Sequence, residues 1–281
     1  MREEILYSDL LVCIVLYKQN LADSTTFATL CRTAGEENLS VLVYDNSPQP
    51  QIAGNIKATG TNATFYYHHN GLNSGVAGAY NYSARLAKEL NKKMLLFFDQ
   101  DTCIAEEYFT KMLANINNHG DINLFCPIVI SGRKIISPSK YLLGRAFAIK
   151  KMQPGVKTAA PFSIINSGLA VNLEEFEKIG GYDTQLQLDF SDHYFFYKFK
   201  KSNRQFCVAD VLLSHQLSTF TDKKADKVLS RFNIYAAAAK IFSRKTKSFL
   251  PLAWAALRGL KLSFQYKKIS FLVLSAGLFR K

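Results

Sequence analysis

Apolar residues in the first hundred positions fall into short unbroken runs, and the runs set the architecture. Leu10–Leu16 places seven apolar side chains in a row, several of them branched, as in a strand buried on both faces. Leu39–Tyr44 is a second such run, Ala63–Tyr67 a shorter third, and Met94–Phe98 a fourth bounded by Lys92, Lys93 and Asp99. The segments between them, Ala22–Ala34 and Ser74–Leu90, have helical composition. Strands alternating with helices predict an α/β fold: a Rossmann-like, mostly parallel sheet flanked by helices, with right-handed crossovers. Ligands of such sheets sit beyond the carboxyl ends of the strands, which puts Tyr17, Asp45 and the stretch 99–101 on one rim.

From about residue 120 the pattern changes. Asn123–Ile130, Lys134–Ser137 and Tyr141–Ile149 read as shorter strands, for which antiparallel pairing is open, followed by a helix over Val171–Ile179 that Gly180 and Gly181 break. Asp189–Lys201 reads as a helix crowded with aromatics. Without long linkers or repeats, residues 1–222 are expected to form one domain.

Residues 223–281 differ. Ala225–Arg244 and Phe249–Phe264 are helical in composition, and Gln265–Lys281 is a third apolar and basic stretch. The charge separates at the same place. Residues 1–222 hold 21 Lys/Arg against 21 Asp/Glu, whereas 223–281 hold 14 against the single acid Asp226, so the net +13 lies wholly in the tail. Basic amphipathic helices with aromatic anchors such as Trp254 suit a membrane interface, where each Lys or Arg near an anionic leaflet contributes about 1 kcal/mol. A helical subdomain packed on the core with a charged outer face is the other reading. A nucleic-acid surface is disfavoured, because no recognisable module stands beside the basic residues. Acids at Glu3, Glu4 and Asp9 exclude a signal peptide, and no run reaches the ~18 apolar residues of a membrane span. Five scattered cysteines without metal or redox spacing read as reduced thiols. The expectation is a cytoplasmic protein that touches the inner face of the plasma membrane from the side.

The sharpest local signal is Phe97-Phe98-Asp99-Gln100-Asp101-Thr102. A strand ending in two carboxylates one residue apart is a claw for a hard divalent cation, Mg2+ or Mn2+, which shares its coordination readily with phosphates. Six motifs then fall in order: Val12-Cys13-Ile14-Val15-Leu16-Tyr17-Lys18-Gln19-Asn20, Val43-Tyr44-Asp45-Asn46-Ser47, Asn73-Ser74-Gly75-Val76-Ala77-Gly78-Ala79-Tyr80-Asn81, Asp99-Gln100-Asp101, Asn166-Ser167-Gly168, and Ile179-Gly180-Gly181-Tyr182-Asp183.

In this order the motifs resemble the family 2 glycosyltransferases with the GT-A fold, over roughly residues 9–220. The Asp-Gln-Asp string is similar to that of the rhamnosyltransferase branch, which uses dTDP-L-rhamnose to build bacterial O-antigens, and so lipopolysaccharide, and related surface polysaccharides. The resemblance implies that Tyr17 lines the base pocket, that Asp45 accepts a hydrogen bond from the base, and that Gly75 and Asn81 lie against the phosphates. Each has a simpler reading: Asp45 in an ordinary turn, Gly75 and Asn81 in helix-start packing. It further implies that Asp101 and His215 bind the metal, that Asp99 contacts the ribose and metal waters, and that Gln100 belongs to the donor site. The resemblance also implies that the catalytic base is Asp192, last Asp of an Asp-x-x-Asp at a helix start, with a first-turn acid serving the helix dipole as the alternative. Asp189 then supports it or caps the helix, and Asn166, Ser167, Gly168 and His193 lie on the acceptor side. His193 and Tyr194 depart from the acidic residue usual after the base, and His68 and His69 edge the pocket. The implied reaction is metal-dependent, inverting transfer of L-rhamnose from dTDP-L-rhamnose to a lipid-linked oligosaccharide. UDP-galactose, UDP-galactofuranose or UDP-N-acetylhexosamine are alternative donors; a scaffold or nucleic-acid binder without turnover is the rival outside enzymes.

Overall fold

A computed structural model describes residues 3–279 except 55, 57 and 216–223. Four parallel strands form its first half: β1 (Leu10–Leu16), β2 (Ser40–Asp45), β3 (Thr64–His69) and β4 (Met94–Asp99), side by side in the order β4-β1-β2-β3. Every residue of β1 and β2 is buried, as unbroken apolar runs require when both faces are covered. Helix α1 (Thr25–Ala34) starts at Ser24, whose hydroxyl accepts from the Phe27 N–H at 3.2 Å. Helix α2 (Gly75–Glu89) turns Ala77, Ala79, Ser83, Ala84 and Ala87 inward, small residues that let its backbone settle close on the sheet.

Beyond β4 come β5 (Thr102–Cys103), α3 (Tyr108–Asn118), β6 (Leu124–Ser131), β7 (Lys134–Leu142), β8 (Arg145–Ile149), β9 (Gly155–Thr158), β10 (Phe162–Ser163) and β11 (Leu169–Asn172). The sheet continues past β4 as β11, β6, β7 and β10, with β11 antiparallel to both β4 and β6. After α4 (Leu173–Lys178) and α5 (Ser191–Ser202), β12 (Gln205–His215) runs parallel to β6 and curls back to pair with β5 and β9. Apolar clusters cover both faces, one around Leu11, Tyr80, Phe97 and Phe195, the other around Val12, Phe98, Tyr108 and Phe125.

Two boundaries differ from expectation, and two elements were not expected. The helix expected over 171–179 begins two residues late: Val171 and Asn172 complete β11, and the Asn172 side chain then caps α4 by accepting from Glu175 N–H at 3.1 Å. The strand expected over 141–149 is broken, because Leu143 and Gly144 both take positive φ and turn the chain into a hairpin. α3 and β12 were not anticipated. Cys103 is exposed and Cys31 half-buried, while Cys13, Cys126 and Cys207 are buried; all five are free.

The tail forms α6 (Ala225–Thr246), α7 (Leu250–Tyr266) and α8 (Ser270–Gly277), which pack on one another through Phe232, Ala239, Ala255 and Phe271. They also dock on the preceding chain. Ala238 and Phe242 join a cluster with Leu186, Tyr141, Phe190 and Tyr194. Arg231 pairs with Asp189, Lys245 with Asp183 at 2.7 Å, and Trp254 Nε1 donates to the Leu143 carbonyl at 2.8 Å. Phe249, Leu257, Phe264, Ile269, Val273 and Phe279 nevertheless remain exposed beside the tail's basic residues. Among the described residues no helix is long and apolar enough to cross a membrane.

Candidate active site

Register brings the strand ends level: Val15 lies opposite Asp99, and Leu16 opposite Asp45. The turn after β4 is fixed from several sides. Gln100 Oε1 accepts from the Tyr17 N–H at 2.7 Å, and Ser24 Oγ donates to the Gln100 carbonyl at 2.8 Å. Thr26 Oγ1 donates to the carbonyls of Asp99 and Thr102 and accepts from the Thr102 N–H at 2.9 Å. Gln100 is therefore a brace between the β1 and β4 exits, with Tyr17 exposed beside it. Asp99 is half-buried, and its Oδ2 accepts from Ser167 Oγ at 2.8 Å. Gly168 makes this contact possible. Its N–H donates to the Phe97 carbonyl at 2.8 Å, its φ is +76°, and a Cβ there would stand 2.5 Å from Leu213 and 2.8 Å from Pro127.

Several expected site residues turn out to be occupied internally. Asp45 is wholly buried: Oδ1 accepts from Ser47 N–H at 2.9 Å, and Oδ2 from Gln51 N–H at 2.8 Å and Tyr67 Oη at 2.7 Å. Burial pushes its carboxyl up, but the bonds from Ser47, Tyr67 and Gln51 outweigh it and hold the group below the ordinary range. Asp45 thus holds the turn after β2. Asn81 clamps the Tyr182 backbone, donating to its carbonyl at 2.9 Å and accepting from its N–H at 2.8 Å, so its amide is not turned to a ligand. The N–H groups at the start of α2 have partners too: Gly75 reaches Asn73 Oδ1 at 3.3 Å, Val76 the Gln187 carbonyl at 3.0 Å, and Gly78 the Ser74 carbonyl at 3.2 Å. Gly75 is required by that approach, because a Cβ would lie 2.1 Å from the Gln187 oxygen. Asn166 is buried and accepts from Tyr182 Oη at 2.5 Å. In the structure Gly75, Asn81 and Asn166 make these packing and clamping contacts.

Phe190, in left-handed backbone with φ 62°, precedes α5 and delivers Asp192 into its first turn. Asp192 Oδ1 accepts from the His193 N–H at 2.7 Å and lies 3.9 Å from His193 Nδ1. Burial raises its carboxyl above the ordinary range; His193 opposes the shift, and the negative charges of Asp99 and Asp189 add to it. Asp99 and Asp192 therefore feel each other, and the buried hydroxyls of Tyr80 and Tyr182 feel both. The ring of Tyr80 stacks on Phe97 at 4.1 Å, that of Tyr182 on Phe195 at 4.3 Å, and the Tyr80 hydroxyl is buried without a hydrogen-bond partner. Carboxylates 93 residues apart in sequence are thus within electrostatic reach of each other and of the Tyr80 and Tyr182 hydroxyls. Asp189 does not cap α5; Arg231 of α6 grips both its oxygens, at 2.7 Å for Oδ1. His193 Nδ1 bonds Ser163 Oγ at 2.7 Å.

The chemistry of the rim suits a hard cation. Asp99 and Asp101 flank Gln100 in one turn, and β12 pairs residue 215 with Thr102, the next position along. The His215 side chain falls outside the described residues, among which no group of three His, Cys, Asp or Glu side chains is arranged to hold a metal. Sequence reasoning missed the structural use of Tyr182, although Gly180-Gly181-Tyr182-Asp183 marked it, and missed Arg231, whose only sign was its place in the basic tail.

A sheet of this order, with acidic residues at its strand exits and a curled antiparallel extension, is that of the GT-A glycosyltransferases. The chain belongs to glycosyl transferase family 2, whose model matches residues 12–164. It is 27% identical over 190 residues to a dTDP-rhamnosyl transferase, RfbF, of Shigella flexneri; the match covers 66% of this chain and spans 61% of that protein's length. The fold is shared with residues 1–349 of S. aureus TarS in complex with UDP, at TM-score 0.53 and 13% identity over 95% of this chain and 90% of that one. GalNAc-T7 with UDP, GalNAc and Mn2+ matches at TM-score 0.55 and 15% identity, over 84% of this chain and 51% of its own.

Proposed function

We propose that the protein is an inverting glycosyltransferase that moves L-rhamnose from dTDP-L-rhamnose onto a membrane-held saccharide. The observation that carries this reading is Asp192, a half-buried carboxylate with raised proton affinity at the start of α5, within electrostatic reach of Asp99 at the end of β4. Asp192 takes the proton of an acceptor hydroxyl while that oxygen attacks the anomeric carbon from the face opposite the diphosphate. The new C–O bond forms as the sugar–phosphate bond breaks, inverting the anomeric centre and releasing the nucleoside diphosphate. Raised basicity in a carboxylate favours that proton transfer. The base lies against Tyr17 beside the Asp45 turn. Asp101 and His215 would hold Mg2+ or Mn2+, with Asp99 steadied by Ser167 next to it; the cation would neutralise charge on the leaving diphosphate.

The rhamnosyl donor is supported by the Asp-Gln-Asp string and by likeness to a relative named for dTDP-rhamnosyl transfer. A UDP-sugar is the second reading, supported by fold neighbours holding UDP, UDP-GlcNAc or UDP with GalNAc. Peripheral contact with an anionic membrane is supported by the exposed apolar side chains among the tail's cations. The deciding experiment is a thermal-shift panel of dTDP-rhamnose, UDP-galactose, UDP-GlcNAc and GDP-mannose with Mn2+, with and without EDTA. A metal-dependent shift confined to the dTDP-sugar is expected. Equal shifts with UDP-sugars would remove rhamnose, and no shift with any donor would overturn the enzyme reading.

A further inference from the structure

Between the β7–β8 hairpin, the start of α5 and the tail helices lies a cavity of about 550 Å³ that none of the donor chemistry uses. Three cations line it: Arg145 from the hairpin and Arg258 and Lys261 from α7. Asp189 is the carboxylate on its wall, and Arg231 already neutralises it through both oxygens. The pocket is therefore electropositive, and its guanidinium groups are ordered on ring faces. Arg145 lies 5.0 Å from the centre of the Trp254 ring and 5.5 Å from that of Phe147, and Arg258 lies 4.4 Å from that of Tyr235. Stacked on Trp254, the Arg145 guanidinium presents its N–H edge to oxyanions, and Arg258, bonded also to the Tyr235 hydroxyl, adds its charge.

The wall is built into the fold. The hairpin turn at Leu143 and Gly144 presses on the start of α7, where a Cβ at Gly144 would stand 2.7 Å from Leu250, while Trp254 is fixed by its bond to the Leu143 carbonyl. The cavity's lining includes both His193, next in the chain to Asp192, and Leu257, which belongs to the exposed apolar face of α7.

Resting on the reading of the protein as a glycosyltransferase with a membrane-held acceptor, we propose that this pocket binds the phosphate or diphosphate ester at the anchored end of the acceptor. Two arginines and a lysine meet the oxyanions, the aromatic rings flank the first sugar, and the lipid leaves past Leu257 toward the bilayer. The acceptor's reacting hydroxyl is thereby delivered to Asp192 from the side opposite the donor.

The test is calorimetric titration of the full chain with inorganic pyrophosphate and with farnesyl diphosphate in EDTA, which removes any metal-dependent binding at the donor site. Both should bind, farnesyl diphosphate the tighter, and Arg145→Ala and Lys261→Ala should each weaken them by about tenfold, the scale of one charge-assisted contact. Lys111→Ala, on α3 and away from the pocket, should change nothing, and dTDP binding in Mn2+ should be equal in all four proteins. Absence of binding, equal binding in the variants, or displacement of pyrophosphate by dTDP would each overturn the proposal. So would variants that lose only phosphatidylglycerol vesicles, because the pocket would then serve a bulk-lipid headgroup. Binding of pyrophosphate without any donor binding would leave the pocket standing and remove the transferase reading.

Discussion

Asp192→Asn separates a catalytic carboxylate from a structural one because its two effects run in opposite directions. The substitution keeps the side-chain oxygen that accepts from the His193 N–H at 2.7 Å, so the first turn of α5 retains its geometry. On the proposed mechanism it removes the group that takes the acceptor proton, and loss of a general base costs ~10²–10⁴ in kcat, or about 3–5 kcal/mol at 1.36 kcal/mol per tenfold. Stability moves the other way. The folded-state carboxyl is raised by burial and by Asp99 and Asp189, so the folded protein binds the proton more tightly than the unfolded chain does. Stability therefore falls as pH rises from the unfolded carboxylate value, ~3.9, through the raised folded value. Asparagine has no charge to bury, and the variant should melt above wild type at pH 7 by scanning fluorimetry. Turnover is read as nucleoside diphosphate release. A variant that keeps more than about a tenth of wild-type kcat, or one that loses activity while melting lower, refutes the assignment.

The same raised carboxyl predicts that kcat/KM falls on the acid side at a pH above the usual Asp range, and that this limb moves when Asp99 is neutralised as Asp99→Asn. Ser167→Ala removes the hydroxyl that bonds Asp99 at 2.8 Å and should weaken metal-dependent donor binding by about 5–10-fold with little change in melting temperature, measured by titration calorimetry. Gly75→Ala, with its Cβ 2.1 Å from the Gln187 oxygen, should destabilise the fold by about 2–4 kcal/mol in urea denaturation. Phe264→Glu with Ile269→Glu should release the protein from anionic vesicles in a flotation assay without altering its melting temperature, since both side chains are exposed. Point changes are preferable to deleting the tail, which would strip Phe242 from Leu186 and Phe190 and expose an apolar surface.

The parallel half of the sheet was readable because burial on both faces leaves a purely apolar run. β1 falls where the run Leu10–Leu16 does, and β2 to β4 differ by a residue or two at their ends. The strand-exit acids were equally readable, since each follows its run directly. What escaped is what depends on distant partners. β12 owes its existence to pairing with β6, β5 and β9, none of them adjacent in sequence. β11 is only four residues long and runs directly into α4, so local pattern assigns its last two residues, Val171 and Asn172, to the helix. Asn81, Asp189 and Asn166 carry polar chemistry suited to a ligand, but whether a partner in the fold claims it first depends on Tyr182 and Arg231, 101, 42 and 16 residues away. The tail posed the same problem: its cations read as a membrane face, yet Arg231 and Lys245 are turned inward to acids near α5.

The stretch from Asp183 to Asp189 is tied at three points: Asp183 to Lys245, Gln187 to the Val76 N–H, and Asp189 to Arg231. Freezing a residue's backbone costs about 1–2 kcal/mol of entropy at room temperature. For this stretch that cost is incurred once, as the chain folds, and does not recur with each acceptor. If Asp192 is the base proposed above, the approach to it is set before any substrate arrives, and binding energy from the acceptor is left to align its own hydroxyl.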